Sequence, residues 1–323
     1  MSTDGEIDNM KILLSAFGAA TILASSMAMA ADYPSKNIEF IVPWSAGGGA
    51  DNVVRALQPS LEKALGATIV VRNLSGGGGA VGFSRAVASK PDGYTVTIPT
   101  NATFTLEGLG NVAFTKDDFD YIARVLVEPY VMAVRKNDAW QDLDSLSSDL
   151  KASGKPLRIG ASGVGSSTHI VSLMLGEALG LNIEVIPFDS GSAAVSAAMG
   201  GHIDGVVLNP SEVISAVNGD RLTAIVTTGE ERSGALPDTP TMEESGYDFE
   251  LSQWRGIAAP KGLDPAIEAK WVEAVKQAVE DPQFQKAARS MGSDISPLYG
   301  EELDQFVEKT SKPLIEEAKA IRQ

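Results

Sequence analysis

One pattern occurs twice in this chain and governs what it can fold into: a buried strand, a glycine- or serine-rich loop, an apolar-faced helix ending in Leu-Gly, then a second strand. The first copy opens on Ile38-Glu39-Phe40-Ile41-Val42. It runs through the loop Pro43-Trp44-Ser45-Ala46-Gly47-Gly48-Gly49-Ala50-Asp51 and then sets Val54, Leu57, Leu61 and Leu65 at helical spacing before Gly66. Pro59 is expected to kink that helix, and Thr68 to Val71 closes the unit. The second copy reads Leu157-Arg158-Ile159-Gly160, then Ala161 to Ser167, a helix carrying Ile170, Leu173 and Met174 up to Ala178-Leu179-Gly180, and the strand Ile183 to Ile186.

Each copy continues in the same style. Asn73 to Gly79 opens the next helix of the first, and Tyr94 to Ile98 is its third strand; Asp189-Ser190-Gly191-Ser192 opens a helix through Met199 in the second, followed by strands at Ile203 to Leu208 and Leu222 to Thr227. Asp264-Pro265 and Asp281-Pro282 each pair an N-cap with a proline at the first helical position of a C-terminal helix. Two α/β lobes with mostly parallel sheets are the expected architecture. We place residues 31–132 plus 255–323 in lobe 1 and 133–254 in lobe 2. The crossings are the strand-like segments Tyr130 to Arg135 and Leu251 to Ala259.

The chemistry lies in the loops. In parallel α/β units ligands gather at the carboxyl ends of strands, where loops lead into helix N-termini. Such a terminus offers unpaired N–H groups and about half a positive charge, which suits an anion. Four loops, around Gly47, Gly78, Ser166 and Ser190, are placed equivalently, and their small side chains let backbone approach a ligand. Tight turns alone explain any one of them; four in a doubled unit point to a carboxylate held between two lobes. Trp44 is expected as a pocket wall and Trp254 as packing at the hinge. Asp204 either contacts the ligand or ties down a loop. His169 either assists a serine or is a polar residue in the first turn of its helix.

Enzyme motifs are weak. Gly77 to Gly82 fits G-x-G-x-x-G, but Arg72-Asn73-Leu74-Ser75 intervenes after the strand before it, and no G-K-[ST] follows either glycine loop. Gly160 to Val164 lacks the last glycine of a nucleophile elbow. The chain has no cysteine and two histidines, His169 and His202. Thiolate chemistry and disulfides are thereby excluded, a zinc site is argued against, and no metal or cofactor is expected. The net charge of −16 also argues against nucleic acid or anionic lipid as partner.

Near the N-terminus, Met10-Lys11, the apolar run Ile12 to Met27 and Ala28-Met29-Ala30 read as a secretory signal cleaved after Ala30. Asp4, Glu6 and Asp8 do not suit such a signal, so translation is expected to start at Met10. The run is too short and serine-broken for a membrane span, which needs about 20 apolar residues. Without a lipobox cysteine the product is expected to be free in the periplasm.

The run Ile41 to Asp51 resembles the opening motif of the solute-binding proteins of tripartite tricarboxylate transporters, the Bug/TctC family. So do Arg72-Asn73 with the following glycines, Lys90 to Thr95, Gly200-Gly201-His202-Ile203-Asp204, Leu236 to Thr241 and Trp254 to Pro260, in order along the chain. The resemblance implies a periplasmic binding protein of type II, with two α/β lobes and a two-strand hinge. It further implies a small carboxylate ligand, delivery to a permease of one large and one small subunit, and a monomer. The carboxylate-holding role carries over onto Trp44, Ser45, Ala46, Gly47, Gly48 and Gly49, and onto Gly76, Gly77, Gly78 and Gly79. The opposing lobe's selectivity role falls on Ser162, Ser166, Ser167, Thr168 and His169, and on Asp189, Ser190 and Ser192. Asp51, Thr100, Asn101 and Asp204 complete the expected ligand-binding set. Two departures bear on the ligand: Ala50 stands where the family usually has Thr, and Leu74-Ser75-Gly76 stands where Pro is frequent. A periplasmic sensor of an organic acid is the alternative role; a secreted hydrolase or oxidoreductase lacks its nucleophile, metal and cofactor signals.

Overall fold

The structure, a computed structural model, describes residues 33–137 and 139–322. The expected export signal lies outside them. Among the described residues no helix is long and apolar enough to cross a membrane.

The first unit forms as its pattern dictates. Strand β1 (Ile38–Val42) leads into helix α1 (Gly49–Leu65), which buries Val53, Val54, Leu57, Leu61 and Leu65 and runs through Pro59. Gly66 stops the helix at φ 69°, a left-handed position where glycine meets no Cβ penalty, and its N–H reaches the Glu62 carbonyl. Strand β2 (Ile69–Asn73), a glycine 3₁₀ turn at Gly77–Gly79, helix α2 (Ala80–Val87), strand β3 (Thr95–Thr97) and helix α3 (Ala102–Leu109) follow. Strand β4 (Phe119–Pro129) then ends one residue before β5 (Val131–Arg135), and the two belong to different sheets.

The second unit repeats the order. Helix α4 (Leu143–Ser153) precedes β6 (Leu157–Ala161), α5 (Ser167–Leu179), β7 (Ile183–Pro187), α6 (Gly191–Met199), β8 (Gly205–Leu208), α7 (Pro210–Asn218) and β9 (Leu222–Thr227). Strand β10 (Ser252–Pro260) returns to the first sheet, and α8 (Pro265–Val279), α9 (Pro282–Met291), β11 (Asp294–Leu298) and α10 (Gly300–Arg322) close the chain. Asp264 and Asp281 cap α8 and α9 by accepting from Ala266 and Gln283 N–H at 2.8 Å, each followed by its proline.

The six-stranded sheet has the order β11-β4-β10-β3-β1-β2 and the five-stranded sheet β7-β6-β8-β5-β9. The expectation of mostly parallel sheets is corrected. β1–β2, β1–β3, β6–β7 and β6–β8 are parallel, but β10 runs against β3 and β4, β11 against β4, and β5 against β8 and β9. The crossing strands are the cause. β5 starts at Val131, opposite Leu208 at the carboxyl end of β8, so a strand arriving from the other sheet enters at the cleft edge and runs away from it. β10 does the same beside β3.

Separate apolar cores secure the two sheets. Phe40, Phe83, Phe119 and Trp271 anchor the first, while Met132, Val134 and Leu175 on one face and Ala194, Val206 and Val213 on the other pack the second. Trp254 is fully buried under α10, stacked on Phe104 at 6.1 Å and edge-on to Phe306 at 5.5 Å. It packs beside the crossing and does not line the cleft.

Candidate functional site

The carboxyl ends of β1 and β2 face those of β6 and β7, and the four loops meet there. In the first loop the Asp51 carboxylate accepts from Gly47 N–H and Arg55 Nε, both at 2.8 Å, and from Asn73 Nδ2 at 3.0 Å. Asn73 Nδ2 also reaches the Trp44 carbonyl at 2.9 Å. Burial alone would raise the Asp51 pKa, but the hydrogen bonds from Arg55, Gly47 and Asn73 outweigh it and hold the carboxyl below its usual range. Asp51 therefore braces the loop from behind rather than facing the cleft.

The second loop is backbone alone. Gly76, Gly77, Gly78 and Gly79 all have φ between 57° and 140°, a run that only glycine adopts without strain. Gly78 abuts the third loop so closely that a Cβ on it would lie 2.7 Å from Ser166 N, and one on Gly163 would lie 2.6 Å from Gly78 Cα. The two lobes thus touch backbone to backbone. Trp44 Nε1 donates to the Ser162 carbonyl (3.2 Å) and Thr105 Oγ1 to the Gly165 carbonyl (2.8 Å), joining the lobes further.

Lobe-2 loops satisfy themselves. Ser166 caps α5 by accepting from His169 N–H (3.2 Å), Ser190 caps α6 by accepting from Ala193 N–H (3.3 Å), and Thr168 Oγ1 accepts from Ser162 N–H (2.9 Å). His169 Nδ1 accepts from Gly165 N–H at 2.9 Å, and burial pushes its pKa down, so the imidazole is a neutral loop brace. Asp189 is exposed at the rim. Asp204 lies at the opposite, amino end of β8, where Arg158 holds it through N–H (3.0 Å), Nε (3.0 Å) and Nη2 (2.9 Å); of its two readings the structure places it as a loop tie.

Between the loops is a cavity of about 20 Å³, room for roughly one water. Trp44, Gly48, Gly49, Ser162, Ser167 and Thr168 of the expected set line it. Thr100 and Asn101 are fully buried beneath it. Asn101 N–H donates to Gln253 Oε1 (3.0 Å), and Gln253 Nε2 reaches Ser167 Oγ (2.8 Å).

Ala50 and Gly191, inside the expected loops, line the cavity too, and four lining residues outside those loops were not anticipated: Asn209, Glu212, Gln253 and Arg255. Arg255 Nε donates to Glu128 Oε1 at 2.6 Å and Nη2 to Asn209 Oδ1 at 3.0 Å, while the Ser211 and Ser293 hydroxyls donate to Glu128 Oε2. Glu212 Oε1 accepts from Gly49 N–H at 3.2 Å and Oε2 from Asn209 N–H at 3.3 Å. Burial raises its pKa and the Glu128 charge adds to this, against the pull of Arg255 and the two N–H donors. A charged side chain inside an apolar strand, as in Gln253-Trp254-Arg255-Gly256, was the available signal for Arg255. Glu212 sits three residues after Asn209, a spacing that reads as a helix cap.

Two sheeted lobes joined by crossing strands, with loops converging from both on one polar cleft, define a periplasmic binding protein of type II. Periplasmic binding protein BugD has this fold with a TM-score of 0.84 at 29% identity, over 88% of this chain and 97% of its own. MatC from Rhodopseudomonas palustris, solved with bound malate, matches with a TM-score of 0.82 at 25% identity, over 88% of this chain and all of its own. A UPF0065 protein of Agrobacterium vitis is 30% identical over 277 residues, 85% of this chain and 80% of that one. Residues 53–320 match the tripartite tricarboxylate transporter family receptor model, TctC, and the chain belongs to that family. Its relatives are solute-binding proteins, not enzymes.

Proposed function

We propose that the protein is a periplasmic solute-binding protein that captures a small di- or tricarboxylate between its lobes and delivers it to a tripartite tricarboxylate-type membrane transporter. The observation that carries this is the N-terminus of α1: its first N–H, on Gly49, has no capping side chain of its own lobe and turns to Glu212 across the cleft, beside the run of left-handed glycines at Gly76 to Gly79. One carboxylate of the ligand rests on the loops at Trp44 to Gly49 and Gly76 to Gly79. The body of the ligand meets Ser162 to Thr168 and Ser190. The lobe limits go with this reading once moved by two or three residues: the chain changes sheets at Tyr130 and before Ser252, beside Glu128 and Arg255, and not at 132/133 and 254/255, which fall inside β5 and β10. A cavity of about 20 Å³ is smaller than any dicarboxylate, so the lobes must part to admit one.

The test is a thermal-shift and calorimetric screen of carboxylic acids on the exported form. A ligand present at one hundred times its dissociation constant stabilises by about 2.7 kcal/mol. A response to sugars or cations, with none to malate, succinate or citrate, would overturn the proposal.

A further inference from the structure

Glu212 stands where a ligand carboxylate is expected, yet it comes from the far lobe. Its place in the capping box of α7 requires only Oε2, which accepts from Asn209 N–H. Oε1 reaches instead across the cleft to Gly49 N–H, at the first residue of α1. Two glycines make this possible. A Cβ on Gly49 would lie 3.0 Å from Glu212 Cδ, and one on Gly191, the first residue of α6, would lie 2.7 Å from it. The carboxylate is therefore wedged between the N-termini of two helices, one from each lobe.

Charge explains why it rests there. Arg255 is committed to Glu128 through its Nε, at the crossing strands. Glu212 is then the surplus negative group of the cleft, and the positive end of α1, which no side chain of its own lobe caps, is what it faces. A carboxylate arriving from solution competes for the same donor and is repelled by the same charge.

We propose that Glu212 is a specificity-determining residue: its carboxylate caps α1 across the cleft as an internal stand-in, and a ligand carboxylate binds by displacing it from Gly49. This rests on the solute-binding reading above. Arg255 Nη2, which donates to Asn209 Oδ1, lies 2.8 Å from where a Gly49 Cβ would be, so its charge lies beside the same donor that the two carboxylates share. The internal carboxylate weakens capture of anions, most of all of those with two or three charges, and sets a threshold that only a well-fitting acid passes.

The test is calorimetric titration of malate and citrate into the wild type, Glu212→Gln and Glu212→Ala, with thermal unfolding of each as a folding control. Glu212→Gln keeps the shape and the acceptor oxygen but removes the charge. Both variants are expected to bind malate about tenfold tighter, equivalent to about 1.4 kcal/mol, and citrate by more. Equal or weaker binding by folded Glu212→Gln overturns the proposal and leaves the solute-binding reading standing. Absence of carboxylate binding by the wild type and both variants would remove that reading as well. Should Glu212→Ala fail to fold, the isosteric variant decides alone, and a gain in affinity is not an effect that structural damage produces.

Discussion

The two lobes are built from the same unit but finish their helices differently. In lobe 2 the helices facing the cleft are capped from within: Ser166 and Ser190 accept from the third residue of α5 and α6, and Asn209 with Glu212 forms a capping box on α7. In lobe 1, Gly48 and Gly79 precede α1 and α2 and supply no side chain at all. A capped helix has spent its donors on itself; an uncapped one holds them for something else. On the proposed reading, the difference gives anion recognition to lobe 1 and shape to lobe 2. It also explains why Glu212, reaching across the cleft, goes to α1.

The largest effect expected from this contrast is at the seam. Gly78→Ala puts a methyl group against the third-loop backbone, 2.7 Å from Ser166 N, and blocks closure. Affinity for malate should fall about a hundredfold, equivalent to about 2.7 kcal/mol. Stability should fall by no more than about 1–2 kcal/mol from the left-handed φ of 66°. Equal losses in binding and folding, read by calorimetry and denaturation, would make the loop merely structural.

Removing a lobe-2 cap should have the opposite profile. Ser190→Ala is expected to lower unfolding free energy by about 1 kcal/mol and, because Ser190 meets only the body of the ligand, to weaken malate binding less than tenfold, well short of the Gly78→Ala loss. A large affinity loss would move anion recognition into lobe 2 and break the contrast.

Gly48→Ala is the sharper probe of lobe 1. Gly48 has an ordinary φ of −80°, and an added Cβ would meet Ser45 O at 3.5 Å and Ser190 Cβ at 3.8 Å. Affinity should drop only a few-fold, whereas Gly48→Val, with two more methyl groups towards Ser190, should weaken binding more than it weakens folding. Stability measurements beside titrations of both variants separate the two outcomes.

The smallest effect belongs to Asp204, outside the cleft. Burial raises its pKa, but hydrogen bonds from the Arg158 side chain and backbone, with the Arg158 charge, bring it below the usual carboxylate range. A group with a depressed folded pKa contributes stability that is present above its unfolded pKa and lost as pH falls through the folded value. Asp204→Asn should therefore cost under about 1 kcal/mol at neutral pH, because the Arg158 partner is half-exposed. That difference should shrink in acid, with malate affinity unaffected throughout. A loss of affinity in Asp204→Asn would return this residue to the site.

Much of this was legible beforehand because local rules wrote it. The spacing of Val54, Leu57, Leu61 and Leu65, the stop at Gly66 and the Asp-Pro caps of α8 and α9 are each set by residues within a few positions of one another. The strand directions were not legible. Period and composition mark a strand but not which edge of a sheet it enters, and the crossing of β4, β5 and β10 between sheets made both sheets mixed. Asp51, His169 and Asp204 show the same limit at the site. Their residue types suit ligand contact, but only the positions of Asn73, Gly165 and Arg158 reveal that they brace loops.

By itself the sequence determined a doubled α/β unit, its glycine loops at strand ends, and a chain without cysteine whose loops would have to read an anion through backbone. These follow from short-range periodicity, from turn chemistry and from residues that are simply present or missing. Tertiary structure alone decided which loop faces which, that Gly78 rests on Gly163, and that Glu212 crosses 163 positions of chain to cap α1. The physical reason is range. A hydrogen bond or a missing Cβ acts over about 3 Å of space, and two residues far apart in sequence acquire that proximity only when two separately packed lobes close on each other.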